Sequence, residues 1–153
     1  MSNAISDDVK AKAPLTRSAI MKRVKQKDTP AELALRSALH RRGLRFRLHR
    51  RIEGIAVDIV FIAAKVAVFV DGCFWHGCPL HATYPKSNQS YWLPKLAENM
   101  ARDHRQTEKL RAAGWKVIRA WEHDCLPPSP GTVRRVERAV TSRRRKAGSK
   151  HAH

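Results

Sequence analysis

Residues 71–81, with the sequence DGCFWHGCPLH, bring two thiols, two imidazoles and a carboxylate close together in the chain. Cys73, Cys78 and His81 have a C-x4-C-x2-H spacing on a segment that also contains glycine and proline. Sulfur and imidazole donors with this spacing suit a tetrahedral zinc ion. The segment therefore predicts a zinc site whose fourth ligand comes from elsewhere in the chain.

Two residues compete to be that fourth ligand. His123 directly follows a predicted strand at residues 115–121, and Cys125 lies two positions further on. We favour His123 and keep Cys125 as the alternative. The chain has only three cysteines, so metal ligation explains them better than disulfide bonding. Because four protein ligands leave no open position, we expect the zinc to stabilise structure rather than to cleave phosphate.

Asp58 interrupts the apolar run AVDIVF, where a carboxylate is unfavourable unless it is paired or binds a cation. Asp71 stands at the end of the next predicted strand. Two carboxylates at neighbouring strand ends can hold Mg²⁺, which polarises a phosphodiester and acidifies a bound water. The alternative is an ion pair between such an aspartate and one of the many arginines.

Three other residues of this region have side chains that suit work on a nucleic acid. His76 lies between Trp75 and a glycine, where its ring can reach a water or a phosphate as a general base. Phe74 and Trp75 are adjacent, so a tight loop cannot turn both rings inward, and an exposed ring can stack on or wedge between bases. Trp92, at the start of a predicted helix, is a third candidate.

The charge of the chain indicates the partner. Lys and Arg number 31 against 13 acidic residues, for a net charge of +18. Such a field favours a polyanion, so we expect nucleic acid. A dense basic run is well matched to phosphates and comprises Arg41, Arg42, Arg45, Arg47, Arg50 and Arg51. Without an apolar run long enough to span a bilayer, we expect a cytoplasmic protein that does not bind membranes.

The periodicity predicts the order α-β-β-β-α-β. Thr29 as N-cap, Pro30 at the first position and Glu32 in a capping box open a helix that runs to about Arg42. Strands are predicted at residues 45–49, 55–62, 66–70 and 115–121, and a second long helix at 91–113. We divide the chain into a disordered N-terminus (1–14), one domain (15–126) and a basic C-terminal tail (127–153) with at most a short helix.

Several pieces of the chain resemble the very-short-patch repair (Vsr) endonucleases: TRSAIM, DIVF, VDGCFWHGC, NMARD and GWKVIRAWEHD. The similarity extends over residues 15–126, and the piece FVDGCFWHGC is highly specific. It implies a restriction-endonuclease-like α/β fold, in which helices flank a mixed central β-sheet. It also implies an enzyme that nicks one DNA strand 5′ to the thymine of a G·T mismatch, the product of 5-methylcytosine deamination.

The resemblance assigns roles to catalytic residues. Asp58 and the main-chain carbonyl of Val70 match the magnesium ligands, and His76 matches the histidine that handles the attacking water. Asp103 matches an aspartate that acts near the leaving group, and Glu32 matches a helix glutamate that reaches the metal site through water.

The same resemblance covers the zinc and DNA contacts. The zinc-ligand positions of the family are matched by Cys73, Cys78, His81 and His123. Aromatic residues that wedge beside the mismatch are matched by Phe74, Trp75 and Trp92, and an apolar residue that enters from the opposite groove is matched by Met21. The chain departs from the family where Val57 replaces a frequent proline, Asp71 stands at the place of a histidine of some members, and His123 replaces a cysteine.

We therefore expect a magnesium-dependent, zinc-stabilised nuclease that acts as a monomer on double-stranded DNA with a G·T mismatch. One alternative is a non-catalytic, zinc-stabilised DNA-binding module with the same fold. Another is a nuclease that is the partner of a cytosine methyltransferase in a restriction system. The pair Asp58 and His76 favours an enzyme over a binding module.

Overall fold

The helix predicted to begin at Pro30 does begin there. In the computed structural model, which describes residues 27–73, 76–80 and 88–150, it is the first element, α1 (Pro30–Arg41). The Thr29 side chain caps it, because its hydroxyl oxygen accepts a hydrogen bond from the Glu32 amide at 3.3 Å. Leu35 and Leu39 are fully buried on its inner face. The cap therefore fixes the end of the helix that carries Glu32.

A four-stranded mixed sheet forms the centre of the described structure. The elements after α1 are β1 (Arg47–Ile52), β2 (Ile55–Phe61), β3 (Val66–Asp71), α2 (Gln89–Ala112), β4 (Lys116–Trp121), α3 (Glu122–Cys125) and α4 (Pro130–Ser149). The strand order is β1-β2-β3-β4, with two antiparallel pairs followed by a parallel pair of β3 and β4. The chain crosses from β3 to β4 through α2, as a parallel pair requires. The expected mixed α/β sheet is confirmed.

Helices cover both faces of the sheet. On one face, α1 and α4 pack against strand residues such as Ile59, Val68 and Ile118. On the other face, Leu110 of α2 packs against Val57 and Ala67. Because β2 and β3 are buried on both faces, any charged side chain in them lies among apolar residues unless it reaches a strand end.

The C-terminal region is a long helix, so the prediction of at most a short helix and a disordered tail is wrong for residues 130–149. Ser129 caps α4 by accepting a hydrogen bond from the Thr132 amide at 3.1 Å. Val133, Val136 and Val140 lie on one face of the helix and are buried against the core. These valines anchor a helix that is otherwise rich in arginine, and α4 belongs to the folded domain.

Several predicted features lie outside the described residues. They include the N-terminal segment 1–14, the beginning of the predicted domain at 15–26, and four predicted site residues: Met21, Phe74, Trp75 and His81. Among the helices of the described part, none is long and apolar enough to cross a membrane.

Candidate active site and metal centre

A cleft of about 620 Å³ opens at the end of β3. It brings together all the residues predicted to be catalytic, from five separate segments: Glu32, Asp58, Asp71, His76 and Asp103. Lys95, Asn99 and Arg102 of α2 also line it. The cleft therefore combines a set of carboxylates and a histidine with cationic side chains that suit a phosphate.

Asp58 is a mostly buried carboxylate on β2. One of its oxygens, Oδ2, accepts a hydrogen bond from the Val70 amide at 2.9 Å, and among the described residues none donates to Oδ1. Burial raises the pKa of Asp58 to about 6, and the negative charges of Glu32 and Asp71 act in the same direction. A bound cation would offset this desolvation and repulsion. Asp58 and Val70 both line the cleft, and carboxylate and main-chain carbonyl oxygens are donors that Mg²⁺ prefers, so these residue types fit the ion.

His76 and Asp103 form a hydrogen-bonded pair across the cleft. The ring nitrogen Nδ1 of His76 contacts Oδ2 of Asp103, and the same nitrogen lies 3.7 Å from Oδ1 of Asp71. Burial alone would lower the pKa of His76, but the hydrogen bond to Asp103 and the two negative charges outweigh it and raise that pKa. In the neutral tautomer that carries its proton on Nδ1, Nε2 of His76 is an acceptor.

Asp71 forms an ion pair with an arginine, which is the alternative considered for such aspartates. Nη1 of Arg119 donates to Oδ1 of Asp71 at 2.9 Å and lies 3.2 Å from Oδ2. Asp71 is only 5% exposed, and its burial raises its pKa. A magnesium ion at Asp71, as predicted, would therefore compete with Arg119, which already contacts both oxygens of this carboxylate.

Glu32 is 2% exposed, yet it lines the cleft from the first turn of α1. Its Oε2 atom accepts hydrogen bonds from the Asp28 amide at 3.2 Å and from Nη2 of Arg36 at 3.0 Å. The same Nη2 lies 2.7 Å from Oδ1 of Asp28 and 2.9 Å from Nε2 of His49. The Arg36 guanidinium thus neutralises part of the negative charge of Glu32 and Asp28. Oε1 of Glu32 has no hydrogen-bond partner among the described residues.

Cys73, Cys78 and His123 converge beside the cleft. Nδ1 of His123 lies 3.3 Å from Sγ of Cys73 and 3.7 Å from Sγ of Cys78. A tetrahedral zinc with Zn–S of ~2.3 Å and Zn–N of ~2.0 Å would separate sulfur and nitrogen ligands by about 3.5 Å. The ligand atoms of the three residues lie within 4.8 Å of one another, so the group fits a zinc ion.

Cys125 is not part of this three-residue group. It is fully buried, and burial raises the pKa of its thiol to about 12. Burial also raises the pKa of the Cys73 thiol, so a zinc ion has to displace its proton on binding. The structure therefore places His123, and not Cys125, next to the two thiols. The predicted ligand His81 lies outside the described residues.

Trp92 is not presented to DNA as the sequence suggested. It is 4% exposed and packs edge-to-face on Tyr91, with ring centroids 5.2 Å apart. Leu96, one helical turn later, is also buried, so this spacing turns both side chains to the inner face of α2. Tyr91 is instead 53% exposed. The predicted arginines are exposed on the surface: Arg41, Arg42, Arg45 and Arg47.

Comparison with known proteins decides the family. A sequence model described as DNA mismatch endonuclease Vsr matches residues 8–81. The type II nicking enzyme V.NaeI of Lentzea aerocolonigenes is 48% identical over 128 residues, which cover 79% of this chain and 77% of that protein. The chain belongs to the Vsr family of DNA mismatch endonucleases. The DNA mismatch endonuclease Vsr of Escherichia coli strain K12 is 36% identical over 75% of this chain and 73% of its own length.

Two further comparisons give another relative in sequence and a shared fold. The type II nicking enzyme V.XorIIP of Xanthomonas oryzae pv. oryzae is 45% identical over 72% of this chain and 82% of its own length. Among solved structures, the catalytic domain of homing endonuclease I-Bth0305I superposes with a TM-score of 0.52 at 16% identity. That match covers 76% of this chain and 98% of the domain, and it shows a shared fold.

Arg119 is one residue of this Vsr-family cleft that the sequence did not single out. It lies on β4 opposite Phe69 of β3, and its guanidinium stacks over the Phe69 ring at 4.2 Å. The sequence pattern that could have identified it is the one that identified Asp58, because Arg119 is a charged residue in the largely apolar strand KVIRAW. Two opposite charges in neighbouring buried strands indicate an ion pair, but only the strand order shows that these strands are neighbours.

Proposed function

We propose that this chain is a DNA mismatch endonuclease that nicks one strand 5′ to the thymine of a G·T mismatch in duplex DNA. The observation that carries the proposal is the convergence of Asp58, His76 and Asp103 in one cleft of a Vsr-family fold. The names of the relatives support strand nicking and action on mismatched DNA. Those from Lentzea and Xanthomonas are type II nicking enzymes, and the one from E. coli is a DNA mismatch endonuclease.

Asp58 and the Val70 carbonyl would hold Mg²⁺. When bound there, the ion supplies a positive charge that polarises the phosphodiester and acidifies a water molecule. The Val70 amide holds Asp58 in place by donating to Oδ2, which leaves Oδ1 for a cation. Oε1 of Glu32 can orient a water molecule in the same cleft, since Arg36 and the Asp28 amide fix the other oxygen.

His76 acts as the general base. Asp103 accepts the hydrogen bond from Nδ1 and thereby holds the tautomer in which Nε2 is free to take a proton from water. The water oxygen then adds to phosphorus, the bond from phosphorus to the 3′ oxygen breaks, and that oxygen takes a proton from solvent. The products are a 3′ hydroxyl and a 5′ phosphate on the thymidine.

Zinc at Cys73, Cys78 and His123, with His81 as the expected fourth ligand, would hold the loop that carries His76. The loop runs directly from Asp71 to Cys78, so its fold decides whether His76 meets Asp103. The hydrogen bond from the Cys78 amide to the Cys73 carbonyl, at 2.9 Å, already closes a turn around His76. We assign the zinc a structural role.

Mismatch recognition is assigned to Met21, Phe74 and Trp75 as residues that enter the base stack, and the exposed arginines near β1 are assigned to phosphates. A wedge gains most where pairing is already weak, which is how it favours a mismatch. We propose that one chain acts alone, since every predicted catalytic residue of the cleft comes from this chain.

The test is a set of duplexes that differ in a single base pair. Purified protein with Mg²⁺ should nick the thymine strand of a G·T duplex, and the products should map to the bond 5′ to that thymine. Duplexes with G·C or A·T at the same position should stay intact. Tight binding without cleavage would establish the binding-module alternative, and equal cleavage of matched sites would establish a restriction-type nuclease.

A further inference from the structure

Arg119 is held in the cleft by hydrogen bonds to three residues on two elements, α2 and β3. Its Nε donates to Oγ1 of Thr107 at 2.8 Å, its Nη1 donates to Asp71, and its Nη2 donates to the Asp103 carbonyl at 3.3 Å. The Phe69 ring supports the flat face of the guanidinium. The side chain is 22% exposed, so it is neither sealed in the core nor free in solvent.

The guanidinium of Arg119 has an N–H group that can still donate a hydrogen bond to a ligand. An arginine has five N–H donors, two of them on Nη2. Only the Asp103 carbonyl accepts from Nη2, so among the described residues one N–H of that nitrogen has no partner. Arg119 lines the same cleft as Asp58 and His76. A fixed cation with a free donor therefore faces the space in which a phosphate would react.

The fixed position has a physical consequence. Hydrolysis of a phosphodiester places extra negative charge on its non-bridging oxygens, and a donor that is already aligned stabilises this charge without reorganising. A mobile lysine on the surface cannot do the same, because its side chain must first be ordered. Asp71 supplies the alignment, since both oxygens of its carboxylate accept from Nη1.

We propose that Arg119 is a catalytic residue, donating from Nη2 to a non-bridging oxygen of the scissile phosphate, and that Asp71 is a positioning residue that acts through Arg119. The inference rests on the proposed endonuclease function. It accounts for an acid at position 71, where some family members have a histidine. Arg119 keeps its proton throughout the reaction, and the bonds that form and break are those between phosphorus and oxygen.

The experiment compares substitutions in a single-turnover nicking assay on a G·T duplex with saturating enzyme. Arg119→Gln removes the charge, and we expect nicking to slow by about 10²–10³-fold, the usual effect of losing one fixed donor at a reacting centre. The Kd for the same duplex, measured without Mg²⁺, should change by no more than about threefold, because the interaction strengthens only in the transition state. Thermal unfolding of each variant checks that it is folded.

A matched control separates catalysis from support of the fold. Arg143 also sits beside β4 and donates to a main-chain carbonyl, that of Gly114, at 2.8 Å, but it does not line the cleft. Arg143→Gln should therefore leave the nicking rate within about threefold of wild type. If Arg119→Gln does not fold, Arg119→Lys is the variant to measure. It keeps the positive charge but loses the several fixed N–H donors of the guanidinium, so the nicking rate should fall by about tenfold at unchanged Kd.

The double variant tests the role of Asp71. Asp71→Asn should slow nicking, and Asp71→Asn combined with Arg119→Gln should be no slower than Arg119→Gln alone, because both changes remove one interaction. Losses that multiply would show that Asp71 acts independently, and a folded arginine variant within about threefold of the wild-type rate would show that Arg119 is structural. Wild-type protein that nicks none of the duplexes overturns the proposed function and this inference with it.

Discussion

Two groups in the cleft carry the proposed chemistry, and the surroundings of each one raise its pKa. Asp58 has its pKa raised to about 6 by burial, with Glu32 and Asp71 adding repulsion. His76 has its pKa raised by Asp103 and Asp71 despite its burial. Both effects follow from placing several carboxylates close together in a cleft that excludes much of the water. Such a cleft suits a cation, whose positive charge offsets that of the carboxylates.

The raised pKa of Asp58 predicts that this residue destabilises the fold near neutral pH. The folded protein binds the Asp58 proton more tightly than the unfolded chain, whose pKa is 3.8, so stability is lost as the pH rises from about 4 to about 6. At pH 7.5 without Mg²⁺, Asp58→Asn should raise the free energy of unfolding by about 2–3 kcal/mol, at ~1.4 kcal/mol per pKa unit. The gain should vanish near pH 4.

Urea unfolding at the two pH values measures this difference. Glu98→Gln, which neutralises an exposed carboxylate on α2, is the control and should change stability by less than about 0.5 kcal/mol at either pH. An Asp58→Asn protein that is no more stable than wild type at pH 7.5 would contradict the buried, desolvated state of this carboxylate.

The pair of His76 and Asp103 predicts a pH profile. A general base works in its neutral form, so the single-turnover rate should rise with pH through the raised pKa of His76. Asp103→Asn removes the charge but keeps the shape, and it should move this rise to lower pH while lowering the maximal rate by about 10²-fold or more. A rise at the same pH in both proteins would show that Asp103 does not control His76.

At the scale of elements, the proposed zinc site predicts that the fold of the loop after β3 depends on metal. Cys78 is 1% exposed and lies 3.7 Å from the His123 ring nitrogen. Because the energy of a structural zinc site is folding energy, Cys78→Ser should lower both zinc content and the unfolding temperature. Cys125→Ser, which changes an equally buried thiol outside the three-residue group, should retain one zinc per chain. Elemental analysis and thermal unfolding distinguish the two variants.

The opposite pattern would contradict this assignment. Full zinc content in Cys78→Ser and its loss in Cys125→Ser would make Cys125 the ligand. A Cys78→Ser protein that is stable but inactive would indicate a catalytic zinc.

The sequence predicted an element accurately where the residues that define its ends are adjacent in the chain. The Thr29-Pro30 start of α1 was predicted at the correct residue because the cap lies in the adjacent sequence. The strand β1 was predicted too short, since the arginines that follow His49 hid a strand at the edge of the sheet. Its true end is the turn at Glu53 and Gly54, both with positive φ, which suits a two-residue hairpin.

Contacts between distant segments were harder to predict. The α4 helix was missed because only three valines mark its buried face in a strongly basic segment. The ion pair of Asp71 and Arg119 depends on the parallel register of β3 and β4, which no local pattern reveals. Five residues of the cleft were nevertheless singled out from the sequence, because the chemistry of Asp58 and His76 and the family resemblance pointed to them: Glu32, Asp58, Asp71, His76 and Asp103.

The whole molecule carries a net charge of +18, and its distribution predicts how it binds DNA. Arg45, Arg47 and Arg50 are exposed on and just before the edge strand β1, which pairs with the strand that carries Asp58. Charged residues also protect a sheet edge from aggregation, so their presence alone does not establish contact with phosphates. The salt dependence of binding separates the two roles.

Affinity for a short G·T duplex should fall steeply with salt, and replacing these three arginines by glutamine should lessen the log-log slope by up to about 2.7, at ~0.9 per phosphate contact. The control is Arg144, Arg145 and Lys146, also changed to glutamine, at the end of α4. Arg135, near the start of α4, donates to the Arg119 carbonyl, and Arg143, near its end, donates to the Gly114 carbonyl. The end of α4 therefore lies beside the beginning of β4, whereas the cleft lies at the end of that strand. Equal changes in both triple variants would show that total charge alone governs binding.

The central claim is that Asp58 holds the cation that cleaves DNA, and single-turnover nicking of a G·T duplex by Asp58→Asn tests it most directly. The amide keeps the size and can still accept the Val70 hydrogen bond, so the fold, the zinc content and mismatch binding should persist. Over a Mg²⁺ titration, nicking should fall by roughly a thousandfold or more, because the charge that binds the ion is gone. Nicking at more than about a tenth of the wild-type rate, without added demand for Mg²⁺, would contradict the account and make Asp58 a structural residue.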